Sequence, residues 1–93
     1  MAYAKKVDKN QADVVKALRD YGASVFLLHT VGSGIPDLMV CYAEQTILME
    51  VKDGESKKLT PQQITLFANW SGGPLHRVNC VQEAIEVLKL YEL

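Results

Sequence analysis

The sequence predicts an α/β fold: a mixed central sheet of three consecutive strands and a fourth reached through a helix. Three observations lead there. Val14, Val15, Ala17, Leu18 and Tyr21 recur at helical spacing across residues 8–21. Leu38-Met39-Val40-Cys41-Tyr42 and Thr46-Ile47-Leu48-Met49-Glu50-Val51 are apolar, partly β-branched runs separated only by Ala43-Glu44-Gln45, the pattern of an antiparallel hairpin. Thr60-Pro61 then opens a second helix, Thr60 as its cap and Pro61 in its first turn, before another apolar run. The expected order is helix, three strands, helix, strand and a trailing C-terminal helix.

Each element has its own signal. Gly22 suits the left-handed position that ends the first helix. Val25-Phe26-Leu27-Leu28 reads as a short buried strand, and Gly32-Ser33-Gly34 as a permissive loop. Pro36 withholds a backbone donor and fixes φ where the next strand begins. Residues 53–58 form a polar loop. Phe67 lies one turn after Gln63 and is expected to pack beneath it, with Trp70 in the core or a dimer contact. Gly72-Gly73-Pro74 closes the second helix, Leu75 to Val78 gives the fourth strand, and Val81, Ala84, Ile85 and Leu88 mark the last helix.

Composition bounds the possibilities. A chain of 93 residues, 48% hydrophobic, suffices for one domain spanning 1–93 with one core. Domains this small often gain stability by association. No apolar run approaches the roughly 20 residues of a membrane span. Met1-Ala2-Tyr3-Ala4-Lys5-Lys6 lacks the apolar core of a signal peptide, so a cytoplasmic protein is expected. Cys41 and Cys80 lack metal-ligand spacing; Cys41 reads as core, and no disulfide is expected. His29 and His76 match no zinc pattern and read as structural. The net charge of −1 is not that of a typical nucleic-acid binder, so distribution matters more. Lys5, Lys6, Lys9, Lys16 and Arg19 lie near the first helix, either a basic patch or an ordinary mixed surface. Lys57 and Lys58 follow the third strand directly and are better placed as phosphate contacts, while Glu83, Glu86 and Glu92 lie towards the C-terminus.

The chemistry is concentrated in Asp37, Glu50 and Lys52. With the hairpin turn centred near Glu44, Asp37 falls beside Glu50 or one place away, and cross-strand Cβ atoms sit about 5 Å apart. Glu50 and Lys52 share one face of the strand; Met49 and Val51 take the other. Two carboxylates can hold a hard divalent cation, and a lysine can place or deprotonate an attacking water. The bland alternative is a turn cap at Asp37 and a solvated pair at Glu50 and Lys52. Charges inside so apolar a strand favour the first reading, because a buried charge is costly unless paired or metal-bound.

Gly34-Ile35-Pro36-Asp37, Glu50-Val51-Lys52, Lys57-Lys58 and Gln63-Ile64-Thr65-Leu66-Phe67 together resemble the PD-(D/E)xK nuclease superfamily, and within it the virus-type replication-repair nucleases, the VRR-NUC family. The resemblance covers nearly the whole chain. It implies a restriction-endonuclease-like αβββαβ core and a Mg²⁺- or Mn²⁺-dependent deoxyribonuclease. Standalone members of this size are similar to archaeal and phage Holliday junction resolvases, which act as homodimers on branched DNA; a phage-encoded one would work inside its bacterial host cell. By this likeness Asp37, Glu50 and the Val51 carbonyl bind metal, Lys52 and Gln63 act in catalysis, and Ser33, Gly34, Lys57 and Lys58 contact DNA. Related nucleases often carry a glutamate on the first helix. Here the position is Gln11, a metal-binding carbonyl or a holder of metal-bound water that adds no charge. Gln11 and Gln63 each keep a second reading as capping-box residues, three places after Asp8 and Thr60. A flap or duplex nickase and a catalytically weak DNA-binding module remain as alternatives.

Overall fold

The computed structural model describes residues 8–92. Its elements are α1 (Gln11–Asp20), β1 (Ser24–Leu27), β2 (Leu38–Tyr42), β3 (Gln45–Val51), α2 (Pro61–Asn69), β4 (Leu75–Val78) and α3 (Val81–Leu90). The sheet runs β1-β2-β3-β4. Its first three strands are antiparallel neighbours, and β4 joins β3 in parallel after the α2 crossover. This is the predicted αβββαβ order with a mixed sheet and a trailing helix.

The β2–β3 hairpin sets the register on which the rest depends. Tyr42 pairs with Gln45, leaving a two-residue turn in which Ala43 and Glu44 have φ of 50° and 63°. Two positive φ values match the turn whose twist suits a hairpin. Neither residue favours that conformation, and each costs roughly 1–2 kcal/mol there. The compensation lies in the strands: this register seats Leu38 opposite Met49 and Val40 opposite Ile47, all four fully buried. A slip of one residue would turn that set to the opposite face.

Val51 and Val78 continue the apolar face, which packs against Val14, Val15 and Leu18 of α1 and Ala84, Val87 and Leu88 of α3. After α1 the Gly22 N–H bonds the Arg19 carbonyl and the Ala23 N–H bonds the Leu18 carbonyl, with Gly22 at φ 113°. That is the glycine-dependent stop its position predicted.

Several details differ from expectation. α1 begins at Gln11 rather than Asp8, because the Asp8 carboxylate accepts the Asp53 N–H at 2.6 Å instead of capping the helix. The Asp8/Gln11 capping box therefore does not form. β1 runs one residue earlier than predicted, although the Leu28 N–H still bonds the Asp37 carbonyl at 2.7 Å. Trp70 is not a core residue. It is exposed, donates Nε1–H to the Gly73 carbonyl, and lies against Gly72, where a Cβ would come within 2.5 Å of its ring. Cys41 is only half-buried and Cys80 exposed, both as free thiols. Phe67 is half-buried. Lys5 and Lys6 lie outside the described residues. Among the described residues no helix is long and apolar enough to cross a membrane.

Candidate functional site

The hairpin register that buries Leu38 against Met49 carries the preceding residue, Asp37, to the position opposite Glu50. Both then belong to the face away from the α1–α3 core. Asp37 Oδ2 accepts the Val51 N–H at 2.9 Å, so the carboxylate extends the ladder where Pro36 interrupts backbone pairing. Glu50 is fully buried on β3. Its Oε2 accepts from Gln63 Nε2 at 3.1 Å and lies 3.8 Å from Lys52 Nζ.

Gln63 caps its helix and also reaches Glu50. Its backbone N–H donates to Thr60 Oγ1 at 3.2 Å, and its side-chain oxygen accepts the Thr60 N–H at 2.9 Å, completing a capping box. The opposite end of the same amide reaches Glu50. One side chain thus starts α2 and ties that helix to the carboxylate.

Among the described residues the buried polar or charged residues are Gln11, Asp37, Glu50, Lys52 and Gln63, at 3%, 2%, 0%, 8% and 2% exposure. All five are positions singled out from sequence. The charged members are two acids and one base, and every prospective ligand atom is an oxygen. Val51, whose side chain is in the core, has only its backbone to offer. Carboxylate, amide and carbonyl oxygens suit Mg²⁺ or Mn²⁺ and do not suit a thiolate- or imidazole-seeking metal. Among the described residues no three His, Cys, Asp or Glu side chains cluster, so a cation here would draw on amide or carbonyl oxygens beside the two carboxylates.

Gln11 points inward, as its helical phase predicted. Its Oε1 is buried and has no hydrogen-bond partner among the described residues. Gln11 and His29 line a groove of about 500 Å³ between α1 and β1, walled by Ala12, Val15 and Leu27. His29, expected to be structural, likewise has a buried Nδ1 with no such partner. The nearby basic groups are locally engaged: Lys16 bonds Asp20 at 2.6 Å and Arg19 donates to the Val25 carbonyl at 2.7 Å.

Gly34 is buried at φ 79°, and a Cβ there would meet the Gln62 carbonyl oxygen at 2.8 Å. The glycine lets the loop before Asp37 press onto the first turn of α2, beside Gln63. Ser33, at φ 57°, is exposed and faces Pro61, Gln62 and Thr65 across a shallow groove. Lys57 and Lys58 are exposed on the segment joining β3 to α2.

Two positioning residues escaped the sequence reading. Asn10 donates its side-chain amide to the carbonyls of Lys52 and Asn79, each at 3.0 Å, pinning the start of α1 to the ends of β3 and β4. In sequence it is indistinguishable from an ordinary helix cap. Arg77 pairs with Glu50 in the parallel register, and its Nη2 faces the carbonyls of Gly54, Glu55 and Lys57. A guanidinium within a four-residue strand was its only signal. Its neighbour His76 has a structural role: Nε2 lies 2.7 Å from the Tyr91 hydroxyl, and burial pushes the imidazole below its usual value.

Compared with known proteins, the chain matches no protein family, no curated protein and no solved structure.

Proposed function

We propose that this chain is a divalent-metal-dependent DNA endonuclease hydrolysing phosphodiester bonds, a PD-(D/E)xK nuclease with the motif pattern of a VRR-NUC domain. The observation that carries the reading is the set of buried polar side chains. In so small a domain, burying Asp37, Glu50 and Lys52 together costs stability that an apolar trio would not. A catalytic task gives that arrangement a reason. Asp37, Glu50 and the Val51 carbonyl would hold Mg²⁺ or Mn²⁺, which when bound supplies Lewis-acid polarisation of a phosphate and a more acidic water. Lys52, with its ammonium confined beside Glu50, orients the attacking water or offsets charge developing on the phosphate. Gln63 fixes the Glu50 carboxylate, and Gln11 offers an inward carbonyl oxygen. Lys57, Lys58, Ser33 and Gly34 border the approach for DNA. A homodimer with two such sites suits symmetrical four-way junctions, and a cytoplasmic setting suits that substrate.

The test is cleavage of labelled four-way junction, flap and linear duplex DNA in Mn²⁺ and in EDTA, by the native chain and by Asp37→Asn and Lys52→Ala. The native chain should cut the junction symmetrically and only with metal. Each variant should lose at least about a hundredfold in rate while remaining folded. Undiminished turnover in both variants would refute the reading. Cutting of flaps or duplex would keep the chemistry and move the substrate.

A further inference from the structure

The segment between β3 and α2 is polar and carries Lys57 and Lys58, yet it is held by a cation of its own. Arg77 is half-buried on β4. Its Nε donates to Asn79 Oδ1 at 2.8 Å, which aims the guanidinium. Nη2 then faces three backbone carbonyls: Gly54 at 3.3 Å, Glu55 at 3.4 Å, and Lys57, the nearest. The Lys57 N–H closes the turn onto the Gly54 carbonyl at 3.2 Å.

Gathering those carbonyls has a geometrical consequence. No peptide bond among the described residues is cis. In a planar trans peptide the C=O and the following N–H point in opposite directions. Carbonyls of Gly54, Glu55 and Lys57 turned towards Arg77 therefore send the N–H groups of Glu55, Ser56 and Lys58 away from it. None of these three N–H groups has a backbone acceptor among the described residues, and all three residues are exposed. Outward N–H groups without backbone acceptors are donors open to an anion, here with two lysine ammoniums on the same loop.

We propose that Arg77 is a positioning residue that shapes residues 54–58 into a phosphodiester-binding loop, using the N–H groups of Glu55, Ser56 and Lys58 with the Lys57 and Lys58 ammoniums. The choice of a DNA phosphate as ligand rests on the nuclease reading. The loop follows Lys52 directly, so a phosphate held there fixes the strand beside the buried carboxylates. The exposed Glu55 carboxylate opposes the anion, and Glu55→Gln should tighten binding.

The experiment is an amide-resolved NMR titration of the ¹⁵N-labelled protein with a short DNA duplex in EDTA, and separately with inorganic phosphate. Glu55, Ser56 and Lys58 amides should shift with both, more strongly with DNA; shifts confined elsewhere would overturn the proposal. In parallel, DNA affinity is measured against salt for Arg77→Gln, Arg77→Lys and the Lys57→Ala/Lys58→Ala pair. Each should lower the salt slope by about 2, and adding Arg77→Gln to the lysine pair should change little more. Arg77→Lys should fail like Arg77→Gln, because an ammonium has no second arm to donate to Asn79 Oδ1, the bond that aims the group at the carbonyls. Full binding by Arg77→Lys, or a further fall in salt slope when Arg77→Gln is added to the lysine pair, would make Arg77 a direct phosphate contact and overturn the proposal. If the Arg77 variants do not fold, the titration of the native protein decides. Cleavage in Mn²⁺ without these amide shifts would remove the loop and keep the nuclease; the shifts without cleavage would do the reverse.

Discussion

Gln63 joins α2 to Glu50, and replacing it separates the energetics of the fold from those of the site. Gln63→Ala removes the acceptor for the Thr60 N–H and the donor to Glu50, both from a side chain 2% exposed. Losing the reciprocal bond of the capping box costs about 1 kcal/mol. Losing a hydrogen bond to a buried carboxylate costs about 1.5–3 kcal/mol. The sum, about 2.5–4 kcal/mol, corresponds to a fall in Tm of about 10–30 °C for a domain of this size. Gln63→Glu keeps the cap, since glutamate also serves at that position, but sets a second carboxyl against Glu50.

The sign of the pH effect follows. Two carboxyls sharing a buried site raise the folded pKa of the pair above its unfolded value. The folded state then binds more protons, and stability relative to the native chain falls as pH rises through that folded value. Gln63→Glu should therefore melt well below the native chain at pH 7 and close to it near pH 4. Mn²⁺ should restore much of the difference at pH 7 by binding between the carboxylates. Calorimetric melting at both pH values, with and without Mn²⁺, reads all three effects. A Gln63→Glu variant as stable as the native chain at neutral pH would refute the Glu50 contact. A destabilised variant indifferent to Mn²⁺ would spare the contact and count against a cation at this site.

Three further outcomes are expected. Gly34→Ala meets both a positive φ and the Gln62 carbonyl, whereas Gly54→Ala meets only a positive φ with open space around it; urea denaturation should find Gly34→Ala the more damaging. The Tyr42 hydroxyl donates to Glu92 at 2.7 Å, which pushes the phenol up to about 12 and holds the carboxyl below its usual value. Their link contributes between the unfolded values of 4.5 and 10.0; it is lost as pH falls through the lowered carboxyl value or rises towards about 12, and Glu92→Gln should return the phenol towards 10.0 in an ultraviolet titration. Gln11→Glu should raise Mn²⁺ affinity by about tenfold or more in calorimetric titration, since it adds a carboxylate where an inward amide oxygen already points. Unchanged affinity would mean that Gln11 serves only the α1–β1 groove that it lines and takes no part in holding a cation.

The hairpin was legible because period and turn length act together. Apolar runs with a short break admit few registers, and the one formed buries Leu38, Val40, Ile47 and Met49 on a single face through a two-residue turn, one residue tighter than the expected break Ala43-Glu44-Gln45. That register also fixed Asp37 opposite Glu50, so the site became readable with the strand. Helix ends were less legible where side chains had distant partners. Asp8 and Asn10 look like helix caps, but the carboxylate of Asp8 serves Asp53 and the amide of Asn10 serves Lys52 and Asn79. Trp70 reads as core or a dimer contact, and its indole instead leaves the core to close a local turn with Gly73. Arg77 was invisible as an organiser because its acceptors are backbone carbonyls, which every residue has. Long-range side-chain-to-backbone bonds leave no periodic trace.

One residue can cap a helix and hold a carboxylate because the two tasks use different atoms. A capping box uses the side-chain oxygen of Gln63 and leaves its NH₂ group unspent. In a buried amide that NH₂ must find an acceptor or carry a desolvation penalty, and Glu50 supplies one. The cap thus orients the amide, and the oriented amide orients the carboxylate. Glutamate would serve the cap equally well but would present an acceptor where Glu50 needs a donor. The residue at this position is therefore fixed by the site rather than by the helix: of the two side chains that complete the box, only glutamine can face Glu50 without adding charge.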